Sequence, residues 1–260
     1  MPALDPFAYV LAGVIALAGP LSGPFERRVY RSDPPTPRKL AMYGAIVAML
    51  WGLTAGAVRI DGWGRLLRSP VTGTAWPSAP ALVGLLLGVA VAAYFALALL
   101  PLAQSLRGPR WRGAYATAIR RGFSDIPGLL PRNAIERAAF ALVSLSAGIC
   151  EEVLFRGFLM RFLHEGGLAM PHTGALVVSS LVFGLGHAYQ GPKGVVSTTV
   201  AGIGLGLLFL LSGSLIPGIV LHVLIDLQMS YVLSPIRGDT TARAAETDVA
   251  ETHRTASGRR

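Results

Sequence analysis

A single cysteine, Cys150, stands in the 260-residue chain. It excludes an intrachain disulfide and any metal site built on several thiolates. Beside Glu151 it reads as a buried, inert thiol rather than a reactive one. Charge is scarce as well: 14% of the residues are charged against 52% hydrophobic, and mean hydropathy is +0.54. Soluble domains carry roughly 25% charged residues, so the composition excludes an ordinary soluble domain and implies an integral membrane protein whose first partner is the lipid bilayer. No internal repeat is visible, which counts against a transporter built from inverted halves. Three protease signatures are missing too: the zincin His-Glu-x-x-His, a rhomboid-like Gly-x-Ser-x context, and the Gly-x-Gly-Asp of aspartyl intramembrane proteases.

What the chain has in quantity is apolar runs. Segments of about 17–25 residues cross a hydrocarbon core of roughly 30 Å, and candidates lie at 4–21, 40–58, 81–102, 134–158, 173–189, 194–212 and 214–233. The expected fold class is all-α: a polytopic membrane helical bundle of about seven transmembrane helices. Met1 to Pro6, where the first run begins, carries Asp5 and no basic residue, and no small-x-small site follows Leu17, so a retained helix is expected rather than a cleaved signal.

The formal net charge of +9 comes from Lys and Arg that cluster between these runs. Arg27, Arg28, Arg31, Arg38 and Lys39 follow the first. Arg107, Arg110, Arg112, Arg120, Arg121 and Arg132 follow the third, Lys193 precedes the sixth, and Arg237, Arg243, Arg254, Arg259 and Arg260 lie in the tail. Seven alternating crossings put all of these on one side. The positive-inside bias makes that side cytoplasmic, with the N-terminus outside and the C-terminus inside. This distribution accounts for the charge, and with no aromatic-basic platform there is no nucleic-acid partner. Arg outnumbers Lys 21 to 2, and with abundant Ala and Gly this suggests a GC-rich bacterial genome, hence a bacterial plasma membrane.

Three regions are expected. Residues 1–133 form an N-terminal three-span region with cytoplasmic basic loops and an interfacial helix within 113–131. Residues 134–233 form a four-helix core that holds the candidate site residues. Residues 234–260 form a disordered cytoplasmic tail, too poor in large apolar side chains to offset the entropy of ordering. The glycines at 202, 204 and 206 lack the preceding strand of a dinucleotide site and read as close helix packing.

Polar side chains at bilayer depth are costly, so they mark function. Glu151 and Glu152 sit side by side in an apolar run. Glu152 can pair with Arg156 four residues on, while Glu151 points about 100° away around the helix axis. One carboxylate is thereby structural and its neighbour is left for general acid or base work. Phe183 and His187 share a face near the end of the fifth run, which is short enough for His187 to be recessed towards the depth of Glu151. His222 and Asp226 share a face of the seventh run. Convergence of all six on one site is the economical reading.

Peptide hydrolysis needs an activated water, a proton for the leaving amine and a donor for the oxyanion. Glu151 with His187 can polarise the water, and His222 with Asp226 can assist the oxyanion or the amine. The same side chains also suit a metal route, with Glu151, His187 and His222 as candidate zinc ligands. Residue types and spacing leave both routes open, and no cofactor is assigned.

Glu-Glu-x-x-x-Arg, then Phe-x-x-x-His, then His-x-x-x-Asp, in successive helices over about residues 134–233, resemble the motifs of the CPBP family of intramembrane proteases. That family includes CAAX prenyl endopeptidases and the bacteriocin-processing or self-immunity proteins formerly called Abi. The resemblance implies that Glu151 and His187 activate the hydrolytic water, that Glu152 and Arg156 support the site, and that His222 and the last motif residue stabilise the oxyanion. The family often has Asn at that last position. Asp226 is expected to orient His222 or, when protonated, to donate as Asn does. The expected partner is a hydrophobic or membrane-anchored peptide substrate, and no prenyl group is assigned to it. The alternative is a non-catalytic membrane scaffold or bacteriocin self-immunity factor that uses the same pocket for binding.

Overall fold

The computed structural model describes residues 5–69, 81–166 and 168–233. The tail expected at 234–260 lies outside the described residues. Helix α1 (Pro6–Arg31) starts where the Asp5 carboxylate accepts from Phe7 N at 2.9 Å and Pro6 presets the first turn. Then come α2 (Thr36–Asp61), ended by Gly62 at φ 71°, the one-turn α3 (Trp63–Leu66), α4 (Ala81–Ser105) and α5 (Pro109–Gly122). The second half comprises α6 (Ala134–Glu151), a π-helical stretch (Glu152–Leu159), α7 (Met160–Glu165), α8 (His172–Leu185), α9 (Gly191–Ser212) and α10 (Ile216–Val232).

Among the described residues the fold is all-α, with one isolated bridge between Arg68 and Ser214. Among the described residues five helical stretches are long and apolar enough to cross a membrane: Pro6–Arg31, Thr36–Asp61, Gly84–Ser105, Ala134–Glu165 and Ala188–Ser212. Helices α8 and α10 occupy the other two candidate positions but have 14 and 17 residues. At 1.5 Å per residue α8 reaches only about 21 Å, short of a roughly 30 Å core. The count of seven crossings is therefore not established. Helix α1 runs ten residues past its expected end, so Arg27, Arg28 and Arg31 ride on its last turns rather than in a loop. The interfacial segment expected within 113–131 is α5 followed by a single 3-10 turn, Pro127–Leu129.

The π stretch lies at the centre of the bundle. Val153, Leu154 and Phe158 pack with Leu11 and Ile15 of α1, Leu176 of α8 and Phe209 of α9. Large apolar side chains such as Leu85, Leu86, Val89 and Leu97 of α4 point outward, as lipid-facing positions should. Glycines bring helices together. A Cβ on Gly148 would run into Val223 of α10, one on Gly184 into Thr199 of α9, and one on Gly206 into Leu176 of α8. This close approach is how helices associate when lipid offers no hydrophobic drive between them.

Two ionic clusters tie down the ends. At the basic end Lys39 is fully buried rather than exposed in a loop, which corrects its reading as a loop cation. Its Nζ donates to Leu130 O at 2.8 Å and Asp33 Oδ1 at 2.9 Å, and lies 3.4 Å from Glu136 Oε2. Glu136, equally buried, accepts from Thr36 Oγ1 (2.7 Å), Arg132 N (2.9 Å) and Asn133 Nδ2 (3.1 Å), while Asn133 caps α6 by accepting from Glu136 N. A buried charge is tolerable only when paired and hydrogen-bonded in this way. At the opposite end Arg161 donates to Glu165 at 2.7 Å and to the carbonyls of Arg65 and Arg68 at 2.9 and 2.8 Å, clasping the α3 turn.

Candidate active site

Helix α6 delivers Glu151 and Glu152 to the interior, and at Glu152 the helix widens. The N–H of Met160 reaches back five residues to Phe155 O, which also accepts from Ser179 Oγ of α8 at 2.7 Å. Such π insertions rotate side chains off the α register and recur at functional sites. The i, i+4 pairing survives the change: Arg156 Nη1 donates to Glu152 Oε1 at 2.8 Å, with both side chains buried. Arg156 Nη2 donates to Gly202 O at 3.2 Å, and the guanidinium carbon stands 4.4 Å from the centre of the Phe183 ring. Gly202 permits this. A Cβ there would sit 3.3 Å from Arg156 Nη2 and 3.2 Å from Phe183.

Glu152 Oε1 takes a second donor, Nδ1–H of His222 on α10, at 2.9 Å. The sequence offered Asp226 as the group that orients His222. In the structure Glu152 has that place, and Asp226 Oδ2 lies 3.7 Å from the other ring nitrogen, Nε2. Glu151 Oε2 is also 3.7 Å from Nε2. These gaps are too long for direct hydrogen bonds, yet one solvent molecule can touch both sides of either. Side-chain exposure rises from 0% at Glu152 and 9% at His222 to 16% at Glu151 and 31% at Asp226, so the site opens on the Glu151 and Asp226 side.

His187 sits one step out. It lies beyond the end of α8, in the turn before α9, with Nδ1–H donating to Phe183 O at 2.9 Å. Its link to the cluster is Phe183. That ring's centroid is 4.9 Å from His187, 5.9 Å from His222 and 5.0 Å from Phe155. Among the described residues no direct hydrogen bond or ion pair joins His187 to Glu151, His222 or Asp226. Five of the six side chains are thus linked through Glu152 and His222, and Phe183 lies against both His187 and His222.

The donor set does not suit zinc as it stands. Among the described residues no three His, Cys, Asp or Glu side chains are grouped closely enough to hold an ion. Both site histidines donate from Nδ1 to protein acceptors, so Nε2 is the nitrogen left to face solvent or substrate. Sequence reasoning missed three contributors. Ser179 covers the carbonyl exposed by the π turn, Gly202 supplies a carbonyl to Arg156, and Gly218 leaves room beside Glu152 Oε2, where a Cβ would sit 3.4 Å away. Gly202 and Gly218 act through backbone or absent atoms, and Ser179 through a backbone carbonyl of another helix, none of which leaves a pattern in a sequence.

The fold and site define an all-α integral membrane protein with a carboxylate, imidazole and guanidinium cluster inside its bundle. Residues 133–228 match the family described as Rce1-like, type II CAAX prenyl endopeptidase Rce1-like. That segment spans all six site residues and agrees with the resemblance to the CPBP and CAAX protease family drawn from the motifs. It supports a CAAX-type intramembrane endopeptidase in general. No curated protein and no solved structure matches the chain.

Proposed function

We propose that the protein is an intramembrane endopeptidase that hydrolyses a peptide bond in a membrane-associated or hydrophobic substrate. The observation that carries the reading is the triangle of Glu151 Oε2, His222 Nε2 and Asp226 Oδ2, with both 3.7 Å gaps meeting at a ring whose far nitrogen is fixed by Glu152. Water beside Glu151 gives up a proton to the carboxylate as its oxygen bonds to the scissile carbonyl carbon. The carbonyl π electrons move onto oxygen, where His222 with Asp226 is placed to donate. Collapse of the tetrahedral species breaks the C–N bond. The proton held by Glu151 passes to the departing nitrogen, giving a carboxylic acid and an amine, and the acid then loses its proton to the amine or to solvent.

In this reading His187 helps to polarise the water, and Glu152 with Arg156 holds His222 in orientation. Nothing in the motifs requires a prenyl group on the substrate. The basic ends of the helices face the cytoplasm of a bacterial cell, with the N-terminus outside, on the positive-inside argument. The test compares membrane proteomes of a deletion strain and a Glu151→Gln strain with the parent. The same polypeptides should accumulate uncleaved in both. Cleavage or protection that persists in the Glu151→Gln strain would replace hydrolysis with capture of a partner in the same pocket.

A further inference from the structure

His187 lies outside regular helix. Its own N–H reaches Gly184 O at 3.0 Å and its carbonyl accepts from Gln190 N at 2.9 Å, so only a short turn fixes its backbone. Where the imidazole stands therefore depends on what packs against that turn. The packing element is α1. A Cβ on Gly19 would strike the Gly186 backbone, and one on Gly23 would come within 2.8 Å of the Ala188 methyl. Gly191, at φ 81°, lies under Arg27, whose Nη1 would be 3.5 Å from any Cβ there. The Tyr30 ring meets Tyr189 edge-on with centroids 5.3 Å apart. Arg27 is itself held by an ion pair with Asp125.

Positions 19, 23, 27 and 30 follow i, i+4, i+8 and i+11, which is one face of a helix. Two glycines at one end let the backbones touch, and a cation and an aromatic ring at the other grip the turn's far side. This face belongs to the N-terminal spans, outside the segment that matches a protease family, and no motif marks it.

We infer that this face of α1 is a positioning surface for His187: it seats the 186–191 turn and sets the imidazole's place relative to Glu151 and His222. The inference rests on the protease reading only for its catalytic consequence. Gly19, Gly23, Arg27 and Tyr30 touch no reacting atom. They act through the turn, and a displacement of about 1 Å at such a distance costs on the order of 10²-fold in rate.

The experiment is a reciprocal swap in the full chain, reconstituted in phosphatidylcholine/phosphatidylglycerol liposomes and labelled with 15N-histidine. His187→Gln assigns the imidazole signals. Gly23→Ala should move or broaden the His187 nitrogen resonances and lower turnover of the polypeptide that accumulates in Glu151→Gln membranes, by about 10²-fold at saturating substrate with little change in KM. Gly23→Ala combined with Ala188→Gly should return both towards wild type, because the second change removes the methyl that the first one meets. Gly13→Ala on the same helix, whose Cβ meets nothing within 4 Å, should alter neither. If Gly23→Ala does not accumulate in membranes, Tyr30→Leu replaces it, with the same displacement of His187 expected. Resonances that stay at their wild-type positions in these variants, or a swap that fails to restore them, would overturn the inference. Resonances that move and return while turnover stays constant would uphold the seat and remove His187 from the mechanism. If no polypeptide accumulates, the protease reading fails and the resonances still decide the seat.

Discussion

Glu152 Oε1 and His222 Nδ1 lie 2.9 Å apart, joining the π stretch to α10 across 70 positions of sequence. The same oxygen accepts from Arg156, so one buried carboxylate fixes both an arginine and an imidazole. Its other oxygen has no hydrogen-bond partner among the described residues. Glu152 is consequently a structural hub, and its more exposed neighbour Glu151 is the carboxylate to which the proposed function gives the reaction.

That division predicts opposite outcomes for adjacent substitutions. Glu151→Gln should leave the melting temperature near that of wild type, because its carboxylate makes no direct hydrogen bond shorter than the 3.7 Å approach to His222. Turnover should fall by about 10²–10⁴-fold, the usual contribution of a general base. Scanning fluorimetry and the accumulating membrane polypeptide measure the two quantities. Turnover close to wild type would sink the assignment.

Removing one side of the buried pair should instead unfold the site. Arg156→Ala strands Glu152 and empties the space over Phe183, and breaking a buried pair costs about 3–5 kcal/mol. Arg156→Lys should recover little, since a lysine lacks the fork that serves Glu152 and Gly202 O together. Denaturation in mixed micelles reads the difference. A lysine variant as stable as wild type would contradict the geometry.

Ser179→Ala tests the π turn. It deletes the donor to Phe155 O, leaving that carbonyl to the Met160 N–H alone, at a cost of about 1 kcal/mol. The loss should appear as faster amide exchange at Met160. Unchanged exchange there would mean that the widened turn holds without its cover.

At the basic end, Lys39→Met should destabilise by leaving Glu136 buried beside Asp33 with its charge less compensated. Adding Glu136→Gln should return part of the loss, because the uncompensated carboxylate is gone. A double-mutant cycle on melting temperature measures the coupling. Strict additivity would show that the two side chains do not interact.

Chelation addresses the donor set. With no three potential ligands grouped to hold an ion among the described residues, dialysis against a zinc chelator should leave turnover and melting temperature unaltered. Loss of turnover that added zinc restores would require the site to rearrange around an ion.

Much of this was legible from residue order. The scarcity of charge and the apolar runs fix an all-helical membrane protein, because backbone polar groups in hydrocarbon must be satisfied within the segment. The four-residue spacings of Glu152 with Arg156, and of His222 with Asp226, place each pair on one face whatever surrounds them. The π turn was not legible, since the apolar pattern of 152–159 fits an α-helix equally well. Nor was the burial of Lys39: a lysine beside Pro and Arg reads as a loop cation until Asp33, Glu136 and Leu130 O are brought around it.

The sequence by itself determined the class of protein, the six polar side chains in the interior and which neighbours on one helix face the same way, because helical periodicity and the cost of charge in lipid act locally. Only the tertiary structure decided that Glu152 rather than Asp226 holds His222, that Phe183 lies against both His187 and His222, and that α1 packs against the His187 turn. Those relations depend on the close approach of helices far apart in the chain, which is set by glycines and by the space that they leave open.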